Sequence, residues 1–220
     1  MLVPADGLVL IPDGLTTLTA AALLTDGRTA LGICDGISLN AGTPVLITGA
    51  AGGMGLLLVQ LTTARGQPKL TAIRTHGADA AIDYCAADWT DRVLDVLDGD
   101  RPAVVLDSVG GEIGRAAFAI TAHGGVFSAH GAASGDFTPL DEDAARQRDI
   151  TIRWISDVQF SPKESHRRLR DVLALAATGA IAPLIGPTYP LQDAAEAHRR
   201  IEARDVIGKS LLLANGTPVR

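Results

Sequence analysis

Apolar residues fall in short blocks along this chain, and between the blocks they recur at three- and four-residue spacing, so the pattern alternates between strand and helix. Leu8-Val9-Leu10-Ile11, bracketed by Gly7 and Pro12, reads as a short strand. Thr16 is placed to cap a helix through Ala20-Ala21-Ala22-Leu23-Leu24, and a second helix follows through Thr29–Ile33. Asn40-Ala41-Gly42 turns the chain into a strand at 44–48, and a helix then runs to about Arg65. Beyond it the pattern predicts a helix over Leu70–His76, a strand over Ala80–Tyr84 and a helix over Trp89–Leu97. Strand 103–107, helix 113–122 and strand 125–129 come next, and Asp141-Glu142-Asp143 opens a further helix. The chain ends with strand 150–154, helix 162–178, helix 191–203 and strand 209–213. Branched strands alternating with helices mean βαβ units and a mostly parallel sheet buried on both faces. No internal repeat or low-complexity tract interrupts the pattern.

One junction carries chemistry. Val45-Leu46-Ile47 leads through Thr48-Gly49-Ala50-Ala51-Gly52-Gly53-Met54-Gly55 into Leu56-Leu57-Leu58-Val59-Gln60-Leu61. A strand that feeds a helix N-terminus aims backbone N–H groups and the positive end of the helix dipole at whatever lies above the turn, and a phosphate suits that place. The three spaced positions of a dinucleotide fingerprint fall on Ala50, Gly52 and Gly55, with alanine in place of the first glycine.

Composition narrows the choice. The 220 residues are 47% hydrophobic and 20% charged, enough for a sizeable core. With 19 basic and 25 acidic side chains the net charge is −6, which argues against a nucleic-acid partner. Cys34 and Cys85 cannot build a disulfide framework or a structural zinc site, and read as buried small side chains in a reducing, cytoplasmic setting. No apolar run reaches the about eighteen residues of a membrane span, and Met1–Asp6 lacks the features of a secretory leader. His76, His123, His130, His166 and His198 are too dispersed for a metal site; all but His130 read as surface or loop residues. The basic clusters around Arg167 and Arg199 read as solvated helix faces.

Taken in order, Ile11-Pro12-Asp13-Gly14-Leu15, Gly27-Arg28-Thr29-Ala30, Ala41-Gly42, Ala50 to Gly55, Gly77-Ala78-Asp79, Leu106-Asp107-Ser108-Val109-Gly110-Gly111, Gly131 to Gly135, Tyr189-Pro190-Leu191 and Gly208-Lys209 resemble the medium-chain dehydrogenase/reductase superfamily, in its zinc-free quinone reductase branch. The resemblance covers nearly the whole chain. It implies an α/β fold with a doubly wound, Rossmann-like sheet, and an enzyme that passes a hydride from NADPH, rather than NADH, to a quinone or a conjugated carbonyl (enone), with no metal. Gly52, Gly53, Met54 and Gly55 match the pyrophosphate-holding turn, and Lys69 and Tyr84 match contacts to the 2′-phosphate. Ser108 and Val109 match a position near the adenosine. His130, Gly131 and Ala132 match the loop beside the nicotinamide, with Thr29 approaching from the other side. No catalytic acid or base is implied, because orientation and the cofactor's own chemistry carry such a step.

The chain departs from that pattern twice. It starts after most of the family's substrate domain, and Gln67-Pro68-Lys69-Leu70 stands where the second strand is expected, so that strand reads as deleted. The expected organisation is a substrate-domain remnant with linker helices at 1–40, a dinucleotide-binding domain at 41–180, and a segment returning to the substrate domain at 181–220. Ile150–Trp154 is the strand expected to pair between subunits of a homodimer. Short-chain reductases share the glycine pattern of residues 48–55, but neither Tyr84 nor Tyr189 has the lysine four residues on that their chemistry needs. The alternative from another class is a truncated, non-catalytic nucleotide-binding or interaction module.

Overall fold

The computed structural model describes residues 7–40, 42–61 and 75–214. They form two compact units. One comprises the described residues up to Gly32, Gly52–Leu57 and those from Phe160 onward; the other comprises Ile33–Ala51 and the described part of Leu58–Gln159.

In the second unit, β1 (Val45–Ile47), β2 (Val104–Asp107), β3 (Val126–Ala129) and β4 (Thr151–Trp154) form a parallel sheet in the order β1-β2-β3-β4. Every residue of β2 is buried, as a strand covered on both faces requires. Helices α4 (Trp89–Val96), α5 (Gly111–Ala119) and α6 (Glu142–Gln147) pack on one of the two faces. Trp89 and Val93 of α4 and Ala117 and Phe118 of α5 share a core with Leu46, Val105 and Phe127 from the strands. Phe118 meets Phe127 edge to face at 5.4 Å, a favoured aromatic geometry. The expected acidic helix start at 141–143 is found: Asp141 caps α6 by accepting from the Ala144 N–H at 2.9 Å.

The first unit holds α1 (Thr17–Leu23), capped by Thr16 as its position predicts. It also holds most of α2 (Asp26–Asp35) and the beginning of α3 (Gly53–Leu61). Helix α7 (Pro162–Ala177) buries Leu169, Val172 and Leu173, the spacing of one helical face. Two further strands, β5 (Ile185–Pro190) and β6 (Lys209–Leu213), pair in parallel around α8 (Ala194–Glu202). Helix α1 lies against this pair and against α7. Gly27, in the first turn of α2, comes so close to α7 that a Cβ would stand 2.9 Å from Val172.

Four points differ from expectation. Leu8–Ile11 forms no strand; Leu10 is 93% exposed and the segment has no ladder partner among the described residues. Ala80–Tyr84 forms no strand either. A strand exists only through its ladder, and the one sheet neighbour of β1 among the described residues is β2. Asp83 instead turns the chain by accepting from the Cys85 N–H at 2.9 Å, while Ala81 and Ile82 are buried as side chains. Strand β5 is not among the expected elements; its register shifts between Ile185 and Thr188, around Gly186 and Pro187, residues that weaken a ladder. The expected strand deletion at 67–70 and most of the expected helix at Leu70–His76 lie outside the described residues. Cys85 is exposed and Cys34 half-buried, so neither is the fully buried side chain expected.

Candidate functional site

β1, β2 and β3 end level with one another, since Ile47 pairs with Leu106, Leu106 with Ser128 and Asp107 with Ala129. Their outgoing loops therefore emerge together at the carboxyl edge of the sheet, where open α/β sheets take their ligands. Asp107 ties the three loops. Fully buried, it accepts from Thr48 Oγ1 at 2.6 Å in the first loop and from Thr138 Oγ1 at 2.6 Å in the third. In its own loop it accepts from the N–H groups of Val109 at 3.1 Å and Gly110 at 3.2 Å. A buried carboxylate is tolerable only with this many donors.

Backbone contacts lock the same loops. His130 and Gly131 N–H groups donate to the Asp107 carbonyl at 2.9 and 3.1 Å, and Ser134 N–H donates to the Val109 carbonyl at 2.7 Å. Ser108 Oγ donates to the Thr48 carbonyl at 2.5 Å. Gly131 has no room for a side chain, since a Cβ would lie 2.4 Å from the Ser108 carbonyl oxygen. Gly110, at φ +75°, would drive a Cβ to 2.1 Å from the Asp136 carbonyl oxygen.

His130 is buried, its Nδ1 3.3 Å from Ser128 Oγ. Its Nε2 has no hydrogen-bond partner among the described residues. Burial pushes the imidazole down to about 4, against the opposing pull of Asp107, so it is neutral at physiological pH.

In the first unit the glycine turn enters α3. The ladder of α3 starts with the Leu56 N–H donating to the Gly52 carbonyl at 2.9 Å, so the N–H groups of Gly53, Met54 and Gly55 lie outside it. Gly52 forms a parallel bridge with Gly208, the residue before β6. Gly208 sits at φ +75° with its Cα against the Leu184 carbonyl, where a Cβ would come to 2.4 Å. From there the Lys209 side chain runs along Gly53 and reaches Asp26 at the start of α2, with Nζ 2.8 Å from Oδ1. A Cβ on Gly53 would lie 2.7 Å from Asp26 Oδ2 and 3.0 Å from Lys209 Cδ.

Ser108, Val109, His130, Gly131 and Ala132 are thus brought together in one unit, and Gly52, Gly53, Met54 and Gly55 in the other. Thr29 is half-buried on α2, its N–H donating to the Thr25 carbonyl. Tyr84 packs half-buried against the apolar core. Lys69 lies outside the described residues. Sequence reasoning missed Thr48, Asp107 and Thr138 as site-building residues, although an aspartate closing the apolar run 103–107 was a visible signal. It also missed Asp26 and its partner Lys209, which are 183 positions apart.

A cleft of about 530 Å³ lies elsewhere, along β1, between Val59–Leu61 of α3 and His76–Ala80. It extends to Asn40, Pro44 and Pro102, on the side from which the strands enter the sheet, and so is not the site formed by the outgoing loops. Among the described residues no group of three or more His, Cys, Asp or Glu side chains could hold a metal ion.

Residues 76–212 match the family model described as zinc-binding dehydrogenase. The chain is 30% identical to a quinone oxidoreductase of Pseudomonas aeruginosa over 219 residues, covering 94% of this chain and 67% of that protein. It is 26% identical to a 2-haloacrylate reductase of a Burkholderia species, covering 96% of this chain and 68% of that one. Among solved structures, a mycobacterial protein complexed with NADPH superposes with a TM-score of 0.87 at 29% identity, covering 96% of this chain and 69% of the other. The chain spans about two thirds of the length of these relatives.

Proposed function

From the premise that the chain belongs to the zinc-binding dehydrogenase family, matched over more than half its length, we propose that it is an oxidoreductase that takes a hydride from NADPH to a conjugated acceptor, a quinone or an enone. The observation that carries this reading is the strand, glycine turn and helix of residues 45–61 in a chain that superposes on an NADPH complex. The residues present fit such a cofactor. Met54 and Gly55 N–H groups lie outside the ladder of α3, and the glycines of the turn keep side chains away from it. Gly52, Gly53, Met54 and Gly55 would hold the pyrophosphate, and Lys69 and Tyr84 the 2′-phosphate. Ser108 and Val109 would line the adenosine side, and His130, Gly131 and Ala132 the nicotinamide side, with Thr29 opposite.

NADPH, when bound, supplies the hydride. The chain contributes orientation: Asp107 fixes the loops that carry Ser108, Val109 and His130, and a neutral His130 adds no charge beside them. No residue is assigned as acid or base. The relatives' names mention both a quinone and a haloacrylate, acceptors whose C=C bond is conjugated to a carbonyl group, and this supports a conjugated acceptor here. In this reading 41–180 is the cofactor-binding part, while 1–40 and 181–220 belong with the substrate side. The thiol of Cys34 fits a cytoplasmic setting.

A second reading is a nucleotide-binding module without turnover. Titration of NADPH and NADH followed by reduced-nicotinamide fluorescence, then assay with 1,4-benzoquinone, separates the two. Micromolar NADPH binding with turnover is expected. Binding without turnover would leave the module, and no binding of either nucleotide would remove both.

A further inference from the structure

The Asp26–Lys209 pair stands where the phosphate reading places a negatively charged guest, and the mechanism above makes no use of it. Asp26 begins α2, and its other carboxylate oxygen lies against the Cα of Gly53 at the beginning of α3. One carboxylate is therefore held close to the N-termini of two helices, where the helix dipole favours a negative charge. Its side chain is only 15% exposed, so the pair is poorly screened by solvent. Lys209 is brought there by the backbone: the Gly52–Gly208 bridge and the left-handed Gly208 fix where β6 starts, and its aliphatic stem covers Gly53. Among the described residues Lys209 is the lysine placed on the glycine turn, and Asp26 is its only ion-pair partner.

We infer that Asp26 and Lys209 set the affinity of the phosphate site against each other: Lys209 is the cation that serves the cofactor's pyrophosphate, and Asp26 is a resident anion that competes with the pyrophosphate for Lys209 and for the N-terminus of α3. The inference rests on reading that helix terminus as the phosphate site. When phosphate arrives, the Lys209 ammonium turns from one anion to the other, a short movement for a flexible four-carbon side chain. Asp26 keeps the lysine in place beforehand and lowers affinity afterwards. A purely structural ion pair behaves differently, because losing either partner then harms the protein in the same way.

The test is the direction of change in two single variants, measured on the full chain with NADPH by nicotinamide fluorescence. Asp26→Asn should tighten NADPH by roughly threefold to tenfold, the scale of one partly exposed charge acting on a nearby anion. Lys209→Met should weaken it by a similar factor and flatten the dependence of Kd on salt, while Lys209→Arg should restore most of the loss. Circular dichroism melting checks that each variant folds. If Asp26→Asn does not fold, the Met and Arg variants at 209 decide through their opposed affinities and salt slopes. Equal weakening by Asp26→Asn and Lys209→Met, or no change with either, overturns the inference and leaves the NADPH reading intact. Inorganic pyrophosphate, followed by its stabilisation of the thermal transition, is the second probe. If wild type ignores NADPH yet pyrophosphate stabilises Asp26→Asn more and Lys209→Met less than wild type, the cofactor reading fails and the inference survives. If neither probe binds any of the proteins, both fail.

Discussion

Replacing Asp107 by alanine would leave the hydroxyls of Thr48 and Thr138 and the N–H groups of Val109 and Gly110 without their buried acceptor. Each stranded donor costs a share of its desolvation, so Asp107→Ala should destabilise by about 3 kcal/mol or more, read as a lower urea midpoint at unchanged slope. Asp107→Asn should lose less, on the order of 1 to 2 kcal/mol, because a threonine hydroxyl can turn round and accept from the amide. His130 gives a pH signature instead. Its folded-state value is pressed down to about 4 by burial, so below the ordinary histidine value of about 6.5 the unfolded chain binds the extra proton and the folded one resists it. Stability on this account is complete above about pH 6.5 and is lost as pH falls towards 4, by on the order of 3 kcal/mol. His130→Phe should remove that part of the acid sensitivity in urea titrations at stepped pH, and the His130 ring proton should show no titration by NMR above about pH 5 in the wild type.

Among the elements, α7 shows how local chemistry fixes a boundary. Ser161 Oγ accepts from the Glu164 N–H at 3.3 Å and Glu164 accepts back from the Ser161 N–H at 3.1 Å, with Pro162 in the first turn. Ser161→Ala should cost about 1 kcal/mol, seen as a lower thermal midpoint. Such reciprocal pairs lie three residues apart, so the start of α7, expected at 162 and found there, is set by local sequence. Strands β2 and β3 were legible because Val104–Leu106 and Val126–Phe127 are branched or aromatic runs between glycine and proline punctuation. The glycine turn was legible as a turn, and the family pattern supplied Ser108 and Gly131, which meet each other. β5 was hidden because a strand that shifts register can house Gly186 and Pro187, whereas a sequence pattern reads them as a break. The strand expected at Ala80–Tyr84 failed for the opposite reason: its residues suit a strand, but no described strand offers it a ladder. Asp107 itself was visible as the end of an apolar run, but its partners Thr48 and Thr138, and the Asp26–Lys209 pair, were out of reach, since they come together only through tertiary structure.

For the molecule as a whole, β4 has β3 on one side and no described strand on the other, and it carries Trp154, 37% exposed, at its end. An edge of this kind can pair with a second copy. We expect sedimentation velocity to show a dimer at micromolar concentration; a monomer there would remove the proposal of subunit pairing through β4. The two units also differ in how the chain is dealt out between them. The sheet unit lies within Ile33–Gln159, and its strands pair in the order in which they are made. The other unit joins residues before Gly32 to residues after Phe160, and Gly52 waits for Gly208. During synthesis the sheet can be completed before the residues from Phe160 onward are made, because local pairings need little loop closure and distant ones need much. The glycine turn then meets Lys209 only after the whole sheet unit has been made, so the turn is completed later than the sheet that carries it.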